Sequence, residues 1–304
     1  MRVDRVGGLT ALVLGSAAGG GFPQWNCGCR LCAAARANDP RVRAATQASV
    51  AFTAGDGAWV VVGASPDLRQ QVLANAQLWP REGSRDSPIA AVVLISADID
   101  GLVGLLVLRE RQRLDVLAPR PILDVLAANS LFAVLDPTLV RRIELTPEAP
   151  VDCAGLRLSL LPLPGKVALY QELPGAAEAT PAVTYAALVE HKGRRAVVAP
   201  ACAAITETLH EHLRAVDLLF FDGTLFRDDE MMTAGVGAKT GRRMGHLPID
   251  GPGGSLARLV DLKARRVFLH INNTNPILLA DSPERRRVEA AGFEVAYDGM
   301  EIRL

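Results

Sequence analysis

Short apolar runs rich in Val, Leu and Ile recur along the whole chain, at residues 9–14, 59–62, 91–95, 156–161, 184–189, 196–199, 218–221 and 267–271. Each has the length of a strand, and most are bounded by Gly, Pro or Asp. Helical spacing appears between some of them, at 205–213, 254–263 and 283–291. The last of these opens on Ser282-Pro283, an N-cap followed by proline at the first helical position. The early chain is mainly strand, and the helices are interspersed in both halves. No Ser- or Gly-rich linker divides two cores, and no repeat recurs at a fixed spacing. One domain over residues 1–304 is therefore expected. The halves echo one another, each with several strands, a helix, and a strand ending in acidic or His residues. This predicts an α/β (α+β) fold of two sheets packed face to face with helices outside. Residues 174–181 read as a surface loop.

Composition narrows the functional classes. Lys plus Arg and Asp plus Glu are equal at 33 each, so charge gives no reason to expect a nucleic-acid or membrane-surface partner. The runs Arg285-Arg286-Arg287 and Arg265-Arg266 read as solvated faces. The segment 1–8 is charged and lacks the apolar core of a signal peptide. No apolar stretch approaches the roughly 20 residues a bilayer-spanning helix needs. Three of the 5 cysteines cluster, while Cys153 and Cys202 stand alone in apolar surroundings and read as buried small hydrophobes. That is no secreted disulfide framework, and a cytoplasmic location is expected. A homodimer stays open.

The most specific local signal is Cys27-Gly28-Cys29-Arg30-Leu31-Cys32. Three soft thiolates this close can converge on one tetrahedral ion, with Gly28 easing the turn. Zinc is favoured over an iron–sulfur cluster because no fourth cysteine lies at a ferredoxin spacing. The fourth ligand must come from far along the chain, and His270 and Asn273 are both candidates. A closed site of this kind is structural.

Two glycine-rich stretches, residues 15–21 and 235–241, miss both the P-loop and the dinucleotide patterns. They are expected to shape a cleft. The run 91–95 leads into Ser96-Ala97-Asp98-Ile99-Asp100-Gly101, with carboxylates at alternate positions beyond a strand end. Asp222 follows the run 218–221, and His270 lies in the run 267–271. Three strands ending in metal-ligand types point to one shared cleft formed by Asp98, Asp100, Asp222 and His270. His246, between Gly245 and the Leu247-Pro248 pair, is a candidate ligand or acid–base group at its rim. His191, His210 and His212 look like surface residues without a role.

Taken together these residues resemble the PqqB branch of the metallo-β-lactamase superfamily, proteins of pyrroloquinoline quinone (PQQ) biosynthesis. The likeness is carried by residues 15–32, ending in Cys27-x-Cys29-x-x-Cys32, and by Ala64-Ser65-Pro66-Asp67 and Phe221-Asp222-Gly223-Thr224. It continues in Ala234-Gly235-Val236-Gly237, Met244-Gly245-His246, residues 270–276 and Asp298-Gly299-Met300. The resemblance implies an αββα sandwich of two mixed sheets. The superfamily's His-x-His-x-Asp-His metal run aligns with Ser96, Asp98, Asp100 and Gly101. Related sequences usually keep the Asp-His ending, so Gly101 stands where a His is expected, and Pro200-Ala201-Cys202 replaces a Pro-Gly-Cys. The implied activity is iron-dependent, oxygen-using hydroxylation of the tyrosine ring in a Glu–Tyr precursor cut from a small peptide. Asp100, Asp222 and His270 would hold the cleft metal, beside the structural zinc. The alternative is a carrier for PQQ or its precursor. A superfamily-type hydrolase ranks lower, because the histidines that hold a zinc-bound hydroxide are missing. The implied partners are a small dipeptide-like precursor and other proteins of PQQ biosynthesis.

Overall fold

Strands buried on both faces appear in sequence as unbroken apolar runs, and the central strands here are of that kind. The computed structural model describes residues 7–172 and 181–304, so nearly all of the loop expected at 174–181 lies outside the described residues. The first sheet contains β1 (Thr10–Gly15), β2 (Ser49–Thr53), β3 (Trp59–Val62), β4 (Ile89–Val93), β5 (Leu114–Ala118) and β6 (Val140–Glu144). The second contains β7 (Val151–Cys153), β8 (Leu156–Lys166), β9 (Pro181–His191), β10 (Arg194–Ala199), β11 (Leu218–Asp222), β12 (Arg265–Leu269) and β13 (Phe293–Val295). The last strand, β14 (Glu301–Arg303), returns to the first sheet and pairs antiparallel with β1. Each sheet thus has 7 strands, in the orders β14-β1-β2-β3-β4-β5-β6 and β13-β12-β11-β10-β9-β8-β7.

Both sheets are mixed. β1, β2 and β3 run antiparallel before β3 to β6 run parallel. β7 to β10 are antiparallel before β10 to β13 run parallel. The echo read in the sequence is therefore a repeated sheet plan. Alternate residues of each strand point to opposite sides. Ala11, Val13, Val50 and Phe52 face Leu158, Val198 and Phe220 in the core between the sheets, where Phe52 and Phe220 meet edge to face at 6.5 Å. Leu12, Leu14, Ala51 and Val61 face outward beneath the helices Leu68–Ala74 and Arg120–Ala128. On the far side the helices Glu207–Leu213 and Pro283–Ala290 cover β10 to β13. This αββα sandwich is the predicted architecture.

Local readings differ in four places. The helix expected at 254–263 is only Ser255–Arg258, although Leu256, Leu259 and Leu262 are buried as its spacing implies. β12 stops at Leu269, because His270 takes a left-handed φ of 59° that no strand continues. His210 is buried and lies 3.0 Å from Asp261, so it is not a surface residue, and Cys153 is only half-buried. Among the described residues no helix is long and apolar enough to cross a membrane.

Candidate metal centre

Parallel strands end together, and loops leaving their carboxyl ends share one rim of the sheet. Asp222 and Leu269 are register partners at the ends of β11 and β12. The residue after Leu269 is His270, so topology alone sets these two ligand types side by side. Asp222 is fully buried. Its Oδ2 accepts from the Cys202 backbone N–H at 3.0 Å and lies 2.8 Å from His246 Nδ1. Its Oδ1 accepts from the backbone N–H and the hydroxyl of Thr224, at 3.0 and 2.7 Å. The rings of His246 and His270 stack with centroids 5.3 Å apart. Donor atoms of Asp222, His246 and His270 all lie within 4.8 Å of one another.

Asp100 reaches this group from the first sheet. It sits in the first turn of the helix Ile99–Leu102, beyond β4, and its Oδ2 is 3.1 Å from His270 Nε2. Burial alone would lower the His270 pKa, but the hydrogen bond and charge of Asp100 raise it above the ordinary value, with Asp222 and Asp98 adding to the effect. Asp100 moves the opposite way: burial is outweighed by its bond to His270, and the carboxyl is held below its usual range. Asp98 lines the same cavity but stands outside the tight group. Gly19, from the first glycine-rich loop, lies close to Asp100; a Cβ there would sit 3.2 Å from Asp100 Oδ2.

Thr224 is the site residue that sequence reasoning left without a role. Its hydroxyl donates to Asp222 and lies 3.0 Å from His246 Nδ1 and 2.9 Å from His270 Nδ1. One hydroxyl therefore orients all three members of the cluster. The signal was present: a hydroxyl residue two places after a strand-end Asp forms an Asx turn onto it.

The cysteine cluster is the second ligand group. Sulfur atoms of Cys27, Cys29 and Cys32 lie within 4.8 Å of one another, and Cys27 and Cys32 are buried. Of the two candidates for a fourth ligand, Asn273 is the residue at the thiols. Its Nδ2 stands 3.1, 3.6 and 3.4 Å from the sulfurs of Cys27, Cys29 and Cys32. The His270 imidazole is committed instead to Asp100 and Thr224 in the cleft. Burial and the neighbouring Cys29 push the Cys32 thiol up to about 11. Burial works against a Cys29 thiolate too, but hydrogen bonds from Cys32, Cys27 and Asn273 hold its pKa below the ordinary value. A cation among the three sulfurs would favour their thiolate forms, and a half-turn of the Asn273 amide would offer it an oxygen. The donor set fits zinc. In contrast, burial and the charge of Asp222 push the Cys202 thiol up to about 12, which makes it inert.

The cleft opens into a cavity of about 360 Å³. Its walls include Val50, Val62, Ile95 and Val198, and its polar groups include Asp98, Asp100, His246 and His270. Gly101 borders the cavity with no left-handed backbone angle; an added Cβ would meet Ser96 Oγ at 3.3 Å, tighter than ordinary contact, and Ser96 O at 4.0 Å, so the Ser96 hydroxyl would have to turn aside. The absent His at this position is thus a difference of side chain and not a demand of the backbone.

Comparison with known proteins places these features in a family. The Beta-lactamase superfamily domain matches residues 58–271. This defines the class: a member of the β-lactamase superfamily with a metallo-β-lactamase fold. The chain is 49% identical to Coenzyme PQQ synthesis protein B of Methylobacterium nodulans, covering 97% of this chain and 100% of that one. Against the protein of the same name from Rhizobium meliloti it is 50% identical, covering 99% and 100%. The crystal structure of Zn(2+)-bound PqqB from Methylobacterium extorquens superposes with a TM-score of 0.93 at 45% identity, covering 97% of this chain and 100% of that one. The chain belongs to the coenzyme PQQ synthesis protein B family.

Proposed function

We propose that this chain acts in PQQ synthesis as a metal- and oxygen-dependent hydroxylase of the tyrosine ring in a Glu–Tyr-derived precursor. One observation carries the reading: Asp222, His246 and His270 offer one carboxylate and two imidazoles within 4.8 Å, beside an apolar-walled cavity. Two imidazoles and one carboxylate with open positions are the donor set of non-haem Fe(II) oxygenases. Iron held there would supply the one-electron chemistry that oxygen activation needs. The chain's own residues do the rest. Thr224, already donating to Asp222, accepts at Nδ1 of both rings and so keeps the Nδ1 proton in place and Nε2 as the donor nitrogen. Asp222 is locked by the Cys202 and Thr224 backbone amides, so the cluster cannot drift when substrate enters. The apolar walls exclude water and receive an aromatic ring.

Zinc at Cys27, Cys29 and Cys32, with Asn273 as the fourth partner, would be structural. The Zn(2+)-bound relative supports that choice of metal.

A second reading, a carrier for PQQ or its precursor, is favoured by Gly101, which removes one imidazole from the cleft. Turnover of the Glu–Tyr-derived precursor by the purified chain with Fe(II) and oxygen separates the two. Hydroxylated product supports the enzyme. Tight binding of PQQ or the precursor without turnover, in protein holding zinc but no iron after anaerobic purification, supports the carrier.

A further inference from the structure

The cavity has a cationic end that the cleft chemistry does not use. Lys166 and Lys239 line it. Behind them Arg243 lies against the Glu172 carboxylate through both of its terminal nitrogens, at 3.2 Å each, and Lys166 Nζ is 3.6 Å from the same group. Arg243 favours the Glu172 anion most, and the charges of Lys166 and Lys239 add to it. Two cations, Arg243 and Lys166, therefore flank one carboxylate side chain that is only 6% exposed. Among the described residues Lys239 has no ion pair with a carboxylate.

This cationic end adjoins the candidate metal cluster. The Lys166 stem packs over Gly245, where a Cβ would come within 3.0 Å of Lys166 Cγ, and Gly245 immediately precedes His246. Arg243 belongs to the same turn, Arg242–Met244. Glu172 follows the turn Leu169–Gln171, which is tied to the first half of the chain by Tyr170 Oη donating to Ala97 O at 2.9 Å. Lysine ammonium groups at the end of an apolar cavity, as Lys166 and Lys239 are here, recognise anions, and guanidinium paired with carboxylate, as Arg243 is with Glu172, is a strong form of that recognition.

We propose that Lys166, Lys239 and Arg243 form a carboxylate-binding subsite in which Glu172 is an internal stand-in. A small aromatic acid would dock its carboxylate there and lay its ring along the cavity towards His246. The proposal deepens the function above by naming the ligand class, and it rests on that reading only for the cavity being the ligand site.

The test is calorimetric binding of 4-hydroxyphenylacetate and its neutral amide to the metal-loaded chain, without turnover. The acid should bind more tightly than the amide, by about tenfold, and the preference should shrink at high salt. Lys166→Met and Lys239→Met should each erode the preference while leaving amide affinity and zinc content unchanged. Glu172→Gln, which withdraws the stand-in, should strengthen acid binding. His270→Ala should leave the preference intact, which separates this subsite from direct ligation to a cleft metal. Equal binding of acid and amide, no binding of the acid, loss of the preference in His270→Ala, or weaker acid binding in Glu172→Gln would each overturn the proposal. Failure of hydroxylation with the preference intact would count against the enzyme reading alone.

Discussion

His270 and Asn273 lie on one loop, three positions apart, and each serves a different ligand cluster. His270 stands between Asp100 and Thr224, while Asn273 faces the three thiols. The loop between them is pinned on both sides. Ile271 donates to Ser16 O, Asn272 donates to Thr224 O, and Asn275 donates through its side chain to Gly223 O. His270 itself is held at a positive φ, a conformation that persists only where surroundings over-determine it. An ion at the thiols therefore fixes the segment that presents the cleft's imidazole.

The first prediction follows from that link. Cys29→Ser should lower zinc content by about one equivalent and the melting temperature by on the order of 10 °C, since structural zinc binding is folding free energy. Cleft iron should fall as well, although no cleft residue has changed. Metal analysis and thermal denaturation check this. Zinc and melting temperature equal to the parent chain would refute a structural zinc. Normal iron with zinc lost would refute the coupling.

Thr224 gives a second. Thr224→Val keeps the shape but leaves His270 Nδ1 without its side-chain partner, whereas His246 Nδ1 keeps Asp222 Oδ2. Removing such an outer partner weakens metal binding by about 10–100-fold, and an unsatisfied buried donor costs about 1–3 kcal/mol of stability. Thr224→Ser should restore most of the affinity. Competitive metal titration reads the difference, and equal affinity for Val and Ser would show that the hydroxyl orients nothing.

Glu230 links pH to the same loop. Burial pushes its carboxyl up to about 7, against hydrogen bonds from Thr274 and from the backbone of Phe226 and Arg227. A carboxyl with a raised folded-state pKa holds more protons folded than unfolded between its unfolded value and about 7. Its contribution is thus fully present below the ordinary Glu pKa and is lost as pH rises through about 7. The loss is on the order of 3 kcal/mol. Glu230→Gln should flatten this slope and be the more stable form at pH values above the transition. Denaturant unfolding across pH measures it, and parallel curves for the two proteins would exclude Glu230 as the titrating group.

Sequence alone reveals the middle of each sheet better than its borders. β3, β4, β10 and β11 are buried on both faces and read as apolar runs. β7, β13 and β14 have 3 residues each, too few to show a period, and exist because long-range partners pair them. The cleft divides in the same way. Asp222 and Asp100 carry strand-end signatures, and His270 sits one residue past a strand. His246 arrives on a loop whose path depends on Gly241 and Leu225, and its neighbourhood with Asp222 has no local signature. The fourth partner of the thiols was open between His270 and Asn273 because both share one loop, and only its folded path divides them.

Gly101 allows the sharpest test of whether the cleft is an oxygenase or a binding site. The position sits in the helix Ile99–Leu102, next to Asp100, where a Cβ would press on the Ser96 hydroxyl at 3.3 Å and require that side chain to rotate. Gly itself costs about 1 kcal/mol relative to Ala inside a helix, so the substitution should not weaken the fold through the backbone. Gly101→His would add an imidazole to the rim where Asp100 meets His270, and neutral imidazole favours borderline metals such as Fe(II). Iron per chain after anaerobic loading should rise, and hydroxylation of the precursor should rise with it if the parent cleft is limited by that one missing donor. A folded variant with unchanged iron would mean that the cleft has diverged by more than this residue, which favours the carrier. Rapid hydroxylation by the parent chain would mean that Asp222, His246 and His270 suffice without an imidazole at 101, and the argument for a carrier would fall.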